Sequence, residues 1–143
     1  MKLRTFHPDD RTEVIDLWQR CNLTRPWNDP DRDIDRKLSV RDELFLVAES
    51  TAFPDGLKIV GVAMAGYDGH RGWVNYLAVD PAQRGQGLGR ALMVEAERRL
   101  LALGCPKLNL QVRSGNESVL AFYRSLGYEV DATVGLGKRL IED

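Results

Sequence analysis

The chain has 143 residues, a length typical of one domain that can bury a full hydrophobic core. Its 20 basic and 21 acidic residues give a formal net charge of −1, which argues against a nucleic-acid partner, because such binders usually carry a basic excess. No apolar run approaches the ~20 residues needed to span a bilayer, and the N-terminus lacks a signal-peptide core. We therefore expect one cytoplasmic domain over residues 1–143, with no membrane partner.

The first half of the sequence predicts a short strand, two helices and three further strands. The first helix, through about Cys21, places Val14, Leu17 and Trp18 on one apolar face. Two prolines and an Asn-Asp pair within residues 25–30 require a loop before the short second helix. Hairpins can join the three later strands, so we expect these strands to be antiparallel. In chain order, the elements are predicted at residues 3–6, 8–21, 33–38, 44–48, 58–65 and 73–79, with turns at 54–56 and 67–72.

The second half predicts alternating helices and strands. Gly104 favours a left-handed cap at the end of a long helix, and the strand after it alternates apolar residues on one face. The strands before and after this helix form one β-α-β unit, so they should be parallel and the sheet should be mixed. The predicted helices are 87–103 and 116–126, and the predicted strands are 107–112, 128–133 and 136–141.

The most informative segment is the glycine-rich turn that leads from a strand into the long helix. Gly85, Gly87 and Gly89 lack the Cβ atoms that would keep phosphate oxygens away. The helix N-terminus offers N–H groups and the positive end of its dipole, and Arg84 and Arg90 add positive charge. The pattern indicates a pyrophosphate-binding turn, with a tight turn that binds no ligand as the alternative.

Two other phosphate-binding motifs do not match this segment. A Walker loop would end in Gly-Lys-Ser/Thr. A Rossmann turn would lie in the first β-α-β unit, with an acidic residue about 20 positions onward. Here the turn lies in mid-chain, after several antiparallel strands.

Two motifs in this sequence resemble those of the GNAT N-acetyltransferase family. Arg84-x-x-Gly87-x-Gly89 is similar to the first motif, Gln/Arg-x-x-Gly-x-Gly/Ala. Residues 116–128, Asn-Glu-Ser-Val-Leu-Ala-Phe-Tyr-Arg-Ser-Leu-Gly-Tyr, resemble the second. The two motifs stand in the family's order and separation, and the resemblance covers essentially the whole chain. Residues 25–30, 66–72 and 136–143 resemble the YpeA subfamily in particular.

The resemblance implies a fold and an activity. The fold is an α/β structure with a mixed, mostly antiparallel central sheet of six to seven strands flanked by helices, the acyl-CoA N-acyltransferase fold. The activity is transfer of the acetyl group of acetyl-CoA, without a metal, to a primary amine that attacks it directly in a ternary complex. The cofactor-binding residues it implies are Leu77, Ala78 and Val79 for the pantetheine arm, Arg84, Gly85, Gln86, Gly87, Leu88, Gly89 and Arg90 for the pyrophosphate, and Asn116.

The resemblance also implies a catalytic residue, Tyr123, as the general acid that protonates the departing thiolate. Asn116 and Tyr123 are seven positions apart, so they share one face of the predicted helix. A phenol with a pKa near 10 is a suitable proton donor to a thiolate. The alternative is a tyrosine that only packs on an amphipathic helix.

The general base is not assigned by the sequence. Some family members carry a glutamate on the strand equivalent to residues 73–79, but this strand contains no carboxylate. A water chain, Asp68 or His70 could accept the proton instead. Asp68 and His70 are also ordinary residues for a polar turn.

The two cysteines belong to no metal-binding or redox pattern. The long helix places Cys105 about 25 Å from the glycine turn, which favours a packed thiol over a nucleophile. Cys21 lies near the loop that lines the acceptor site in relatives, so it either touches substrate or packs. Trp27 in that loop is expected to shape the acceptor pocket.

Three functions remain open at this stage. The first is acetylation of a small-molecule amine. The second is acetylation of a peptide or protein, which the Pro26-Trp27 pair suggests. The third is a non-catalytic domain that binds acetyl-CoA as a sensor. A homodimer is also considered.

Overall fold

A five-stranded mixed sheet is the centre of the computed structural model, which describes residues 1–53 and 56–143. The strands are β1 (Lys2–Thr5), β2 (Phe45–Phe53), β3 (Gly56–Tyr67), β4 (Gly72–Val79) and β5 (Leu108–Asn109). They lie in sequence order, with the first four antiparallel and β5 parallel to β4. The predicted mixed α/β class is confirmed, and the described residues form five strands rather than six or seven. The turn predicted at 54–56 includes Pro54 and Asp55, which lie outside the described residues.

Four helices accompany the sheet: α1 (Arg11–Arg20), α2 (Pro30–Val40), α3 (Leu88–Ala102) and α4 (Glu117–Ser125). Short 3-10 turns at Pro8–Asp10 and Pro81–Gln83 precede α1 and α3. Helix α2 is longer than predicted because Asp29 caps it, accepting a hydrogen bond from the Asp31 N–H at 2.9 Å, and Pro30 occupies its first position. The end of the loop predicted at residues 25–30 is therefore the start of α2. None of the helices in the described residues is both long enough and apolar enough to cross a membrane.

Helices cover both faces of the sheet. On one face, α1 and α2 bury Trp18 and Ile34 against strand residues such as Val62. On the other face, α3 lies against β3 and β4. Gly61 of β3 allows this approach, because a Cβ built there would stand 2.9 Å from Leu92 Cδ1 of α3.

The described chain divides into two units, residues 1–110 with Asp143, and residues 111–142. The first contains the sheet with α1, α2 and α3, and the second contains α4. The expected single domain stays a prediction.

The strands predicted at 128–133 and 136–141 were wrong. Residues after α4 form no strand in the structure, and their apolar side chains are exposed: Val130, Val134, Leu136, Leu140 and Ile141 are 67 to 97% accessible. Apolar alternation predicts a strand only where a neighbouring strand completes its ladder, and a two-stranded hairpin alone is marginal. Gly135 and Gly137 weaken extended structure further. The strand predicted at 107–112 is likewise reduced to the two residues of β5 that pair with β4.

Candidate active site

The glycine turn begins where β4 ends and adopts a conformation that requires glycine. Gly85 and Gly87 have φ angles of 80° and 78°, in the left-handed region that disfavours other residues. Gly87 is the N-cap of α3, and Ala91 donates the first hydrogen bond of the helix to its carbonyl, at 3.0 Å. The N–H groups of Leu88 and Gly89, which precede that bond, therefore point out of the helix end.

The surroundings of this turn suit an anion. The first turn of α3 carries no acidic residue, so nothing there opposes the positive end of the helix dipole. Residues 84–87 and 90 are exposed or half-buried, and Arg84 and Arg90 lie at the two ends of the segment. The backbone and charge of residues 84–90 thus fit a pyrophosphate.

A buried carboxylate fixes the start of this turn. Asp80 is 3% exposed, and its Oδ1 accepts a hydrogen bond from the Ala82 N–H at 2.9 Å. Its Oδ2 lies 3.0 Å from Arg20 Nη1 of α1 and 3.7 Å from Lys58 Nζ of β3. Burial opposes the ionisation of Asp80, but the bonds from Ala82 and Arg20 outweigh it and lower its pKa. The sequence had indicated only that Asp80 ends a strand.

Cys21 lies next to the same turn. Its Sγ is 3.3 Å from the Val79 carbonyl oxygen, and Arg84 Nη2 is 3.9 Å from that sulfur. The thiol is half-buried and packs against the core cluster of α1 and α2. Cys105 is buried instead against Gly72, where a built Cβ would stand 3.0 Å from its sulfur. The packed role expected for Cys105 agrees with this position.

The edge of β4 next to β5 is paired over two residues only. Gly72 pairs with Leu108 and Trp73 with Asn109, and no further pair continues the ladder among the described residues. The predicted pantetheine-binding segment, Leu77 to Val79, follows on this edge, and only Asp80 and the 3-10 turn at Pro81–Gln83 separate it from the glycine turn of residues 84–90. An extended ligand arm could therefore bond to the β4 backbone where a neighbouring strand does not.

Strand β4 also contains a bulge at Tyr76. In the pairing with β3, Val62 faces Ala78 and Met64 faces Asn75, so Ala63 alone opposes both Tyr76 and Leu77. Tyr76 has a φ of 53°, an unusual conformation for an aromatic residue.

The Tyr76 side chain is held from both helices of one face. Its ring stacks on Trp18 of α1 with centroids 3.9 Å apart, and its hydroxyl donates to Asp33 Oδ2 of α2 at 2.5 Å. Burial, and then the bond to Asp33, raises the pKa of Tyr76 to about 12. Sequence reasoning missed this pair, because Tyr76 and Asp33 are 43 residues apart and neither belongs to a motif.

Asp68 and His70, considered above as possible general bases, lie in an ordinary polar turn. Asp68 Oδ1 accepts hydrogen bonds from the backbone N–H groups of His70 at 2.8 Å and Arg71 at 2.7 Å. Both bonds lower the pKa of Asp68, and the bond from Arg71 has the larger effect. Such an Asx turn is what a polar connection between β3 and β4 requires.

The second unit carries the other predicted site residues, both on one helix. Asn116 is the N-cap of α4, and its Oδ1 accepts from the Val119 N–H at 3.4 Å. Tyr123 is 8% exposed and packs edge-on against Phe122 and Tyr128, with centroids 5.1 and 5.8 Å away. Burial raises the pKa of Tyr123 to about 12. Within the part of the chain that the structure describes, no group of three or more His, Cys, Asp or Glu could hold a metal ion.

Comparisons with known proteins identify the family. The model of the acetyltransferase (GNAT) family matches residues 11–128. An acetyltransferase of Sodalis glossinidius is 52% identical over 144 residues, covering 100% of this chain and 98% of the relative. An acetyltransferase of Yersinia enterocolitica is 52% identical over 143 residues, with the same coverage.

Solved structures of acetyltransferases share the fold. Ard1 from Thermoplasma volcanium is 25% identical with a TM-score of 0.76, covering 92% of this chain and 84% of that one. Chaetomium thermophilum Naa20, in complex with a bisubstrate analogue, is 26% identical with a TM-score of 0.70, covering 91% and 72%. Members of this family use acetyl-CoA and act on amine or peptide acceptors. The chain belongs to the GNAT family and is an acetyltransferase.

Proposed function

We propose that this acetyltransferase transfers the acetyl group of acetyl-CoA to a primary amine by direct attack in a ternary complex. One observation carries the proposal: the open edge of β4 is followed, after Asp80 and the 3-10 turn at Pro81–Gln83, by a left-handed glycine turn at the N-terminus of a long helix. An open strand edge suits an extended amide-bearing arm, and the helix end suits a pyrophosphate.

The residues of β4 and the turn would bind the two parts of the co-substrate separately. The backbone of Leu77, Ala78 and Val79 would hydrogen-bond the pantetheine arm. Backbone N–H groups from Gly85 to Arg90, with the Arg84 and Arg90 side chains, would hold the pyrophosphate. Asn116 is proposed as a further contact, although its side-chain oxygen already accepts a bond from the α4 backbone.

The thioester of acetyl-CoA supplies an activated acetyl group. Backbone N–H groups of β4 would polarise its carbonyl, and the binding geometry would bring the amine into position. Tyr123 would then donate its hydroxyl proton to the departing thiolate. With its pKa raised by burial to about 12, Tyr123 is protonated at neutral pH, so the proton to be donated is present.

The acceptor is proposed to be a small-molecule amine or the amino group of a peptide. The loop between α1 and α2 favours the peptide, because Trp27 in this loop is 53% exposed and offers an aromatic surface to a larger ligand. The neutral charge balance suits neither nucleic acid nor an anionic surface, and the cytoplasm, where acetyl-CoA is available, is the proposed location.

The experiment is a screen for free-thiol release from acetyl-CoA with a library of small amines and peptides. Acetyl-CoA should first raise the melting temperature, because a ligand that binds the native state stabilises it by mass action. Thiol release dependent on an amine or a peptide supports the enzyme and identifies the acceptor class. Binding without release from any member would favour the sensor, and an unchanged melting temperature would refute the proposed co-substrate.

A further inference from the structure

We infer that the Tyr76–Asp33 pair forms the binding site of the acceptor amine, the amine seat, with Asp33 accepting the amine proton through the Tyr76 hydroxyl. This inference rests on the proposed function, since it uses the direction in which the co-substrate would lie along β4. It supplies the carboxylate that β4 itself lacks.

The order of residues along β4 leads to this position. With the pyrophosphate at residues 84–90 and the pantetheine arm along Val79, Ala78 and Leu77, the acetyl end of the co-substrate comes to Tyr76. Tyr76 is also where the strand bulges, and a bulge redirects a side chain out of the regular alternation. The hydroxyl thus stands at the reacting end of the strand.

Two contacts hold the pair in place. The Tyr76 ring stacks on Trp18 with an interplanar angle of 17°, and Trp18 is itself fully buried. The hydroxyl donates to Asp33 Oδ2 at 2.5 Å, a short charge-assisted bond. Because the hydroxyl hydrogen points to Asp33, the oxygen is left as an acceptor; the Asn28 side chain, which also bonds Tyr76, takes one lone pair, and the other remains for an N–H group of the amine.

The charge around the pair favours a cation. Arg36 Nη1 lies 3.7 Å from Asp33 Oδ1 and 3.5 Å from Asp143 Oδ1, so one arginine faces two carboxylates. The side-chain amide of Asn28 can also donate to Asp143, at 2.9 Å. The side chains of Asp33, Asp143 and Arg36 together carry one net negative charge, and a protonated primary amine complements it.

The proton path balances. An ammonium group on the acceptor gives one proton to the Tyr76 oxygen while the Tyr76 hydroxyl proton passes to Asp33, which becomes neutral and later releases the proton to water. The freed nitrogen lone pair forms the bond to the acetyl carbon, and the bond from that carbon to sulfur breaks. The nitrogen loses a second proton as the amide forms, and the sulfur gains one. Because its pKa is raised to about 12, Tyr76 is protonated at neutral pH, as a group that passes a proton on requires.

The test uses two coenzyme A thioethers as probes, S-(3-aminopropyl)-coenzyme A and its isostere S-butyl-coenzyme A. They differ in a terminal ammonium group against a methyl group, so the ratio of their dissociation constants reports the amine seat without a known acceptor. Titration calorimetry should show that the wild-type protein prefers the aminopropyl probe by about tenfold or more. Asp33→Asn should remove most of this preference, and Tyr76→Phe, which keeps the ring on Trp18, should remove part of it.

Matched controls come from α2 and from β3, the strand that pairs with β4. Asp35→Asn changes an exposed carboxylate on α2 that pairs with Arg11 at 2.6 Å, and Tyr67→Phe removes a hydroxyl that bonds a turn carbonyl at 3.3 Å. Both should keep the wild-type preference, and all four variants should bind acetyl-CoA within about twofold of wild type.

The outcomes separate the two ideas. Failure of wild-type protein to bind acetyl-CoA would count against the proposed function. Normal binding of acetyl-CoA with equal affinity for the two probes would overturn the amine seat alone. A preference that survives Asp33→Asn would also overturn it, because a Tyr–Asp bond that only braces the fold does not affect this ratio.

Discussion

The two ends of the β4 site are built in different ways. The glycine turn of residues 84–90 is made of backbone, with left-handed dihedrals at Gly85 and Gly87 and, at the N-terminus of α3, N–H groups that have no acceptor within the helix. At the bulge, the site is formed by side chains instead. The Tyr76 ring stacks on Trp18, and the Tyr76 hydroxyl donates to the Asp33 carboxylate. Backbone recognises the part of a ligand that never changes, whereas side chains perform the chemistry and select the partner. Substitutions should therefore separate binding from turnover.

The largest effect is expected at the backbone end. Gly87→Val should abolish the rise in melting temperature caused by acetyl-CoA, because a β-branched residue strongly disfavours a φ of 78° and this dihedral shapes the turn. The unliganded variant should still fold, since a Cβ at Gly87 meets nothing within 4 Å. Gly69→Val is the matched control, with a φ of 90° and equally open space in the turn between β3 and β4. An undiminished shift in the Gly87 variant would contradict the phosphate-binding turn.

The second effect tests whether chemistry resides in side chains. Tyr123→Phe removes the proposed proton donor and keeps the packing against Phe122 and Tyr128. The catalytic constant should fall by about 10²–10⁴-fold with little change in affinity for acetyl-CoA. Steady-state kinetics with an acceptor from the screen measures both.

The pH profile of the same variant sharpens the result. With its pKa raised to about 12, Tyr123 remains a proton donor at neutral pH and loses that ability only in strong alkali. Any alkaline limb that reports this hydroxyl should disappear in Tyr123→Phe. Full turnover with an unchanged profile would leave Tyr123 as a packed residue only.

A smaller effect, on stability, is expected at Asp80, the buried carboxylate between Tyr76 and the glycine turn. Asp80→Asn weakens the contacts with Arg20 and Lys58 and should lower the free energy of unfolding by about 1–3 kcal/mol. The folded-state pKa of Asp80 lies below its usual value of 3.8, so its charge stabilises the fold above that pH and the contribution is lost as the pH falls through the lowered value. Denaturant titrations at pH 7 and pH 3 should show a larger difference at pH 7. An equal difference at both would mean that the charge of Asp80 is not the cause.

The smallest effect is expected at Cys105. Cys105→Ser replaces a buried thiol that donates to the Lys107 carbonyl at 3.4 Å, and it should cost some stability while leaving turnover largely intact. Mass spectrometry after incubation with acetyl-CoA should find no acetyl group on the protein. A trapped thioester on Cys105 would replace direct transfer with a covalent route.

The sequence predicted the backbone end better than the side-chain end. The turn of residues 84–90 is a local pattern, and the parallel β4–α3–β5 unit follows from chain order alone, so both were predictable. The Tyr76–Asp33 bond, the Arg20–Asp80 pair and the contact of Cys21 with Arg84 join segments far apart in the chain, and only the packing of α1 and α2 on the sheet creates them. The strands predicted after α4 had the right alternation but no partner ladder. Apolar periodicity describes one strand, whereas a sheet depends on its neighbour as well.

Gly61 constrains how this chain can vary. It lies beneath the first turns of α3, where a Cβ would stand 2.9 Å from Leu92 Cδ1 and 3.4 Å from Leu88 Cδ2. Leu88 lies within the turn of residues 84–90 and is the first residue of α3, so a bulkier residue at position 61 would push the helix end away from the sheet together with the turn. Positions 61 and 92 should therefore change as a pair in functional homologues, a larger residue at one accompanying a smaller residue at the other. A single substitution at either position would therefore change the glycine turn without altering any of its residues.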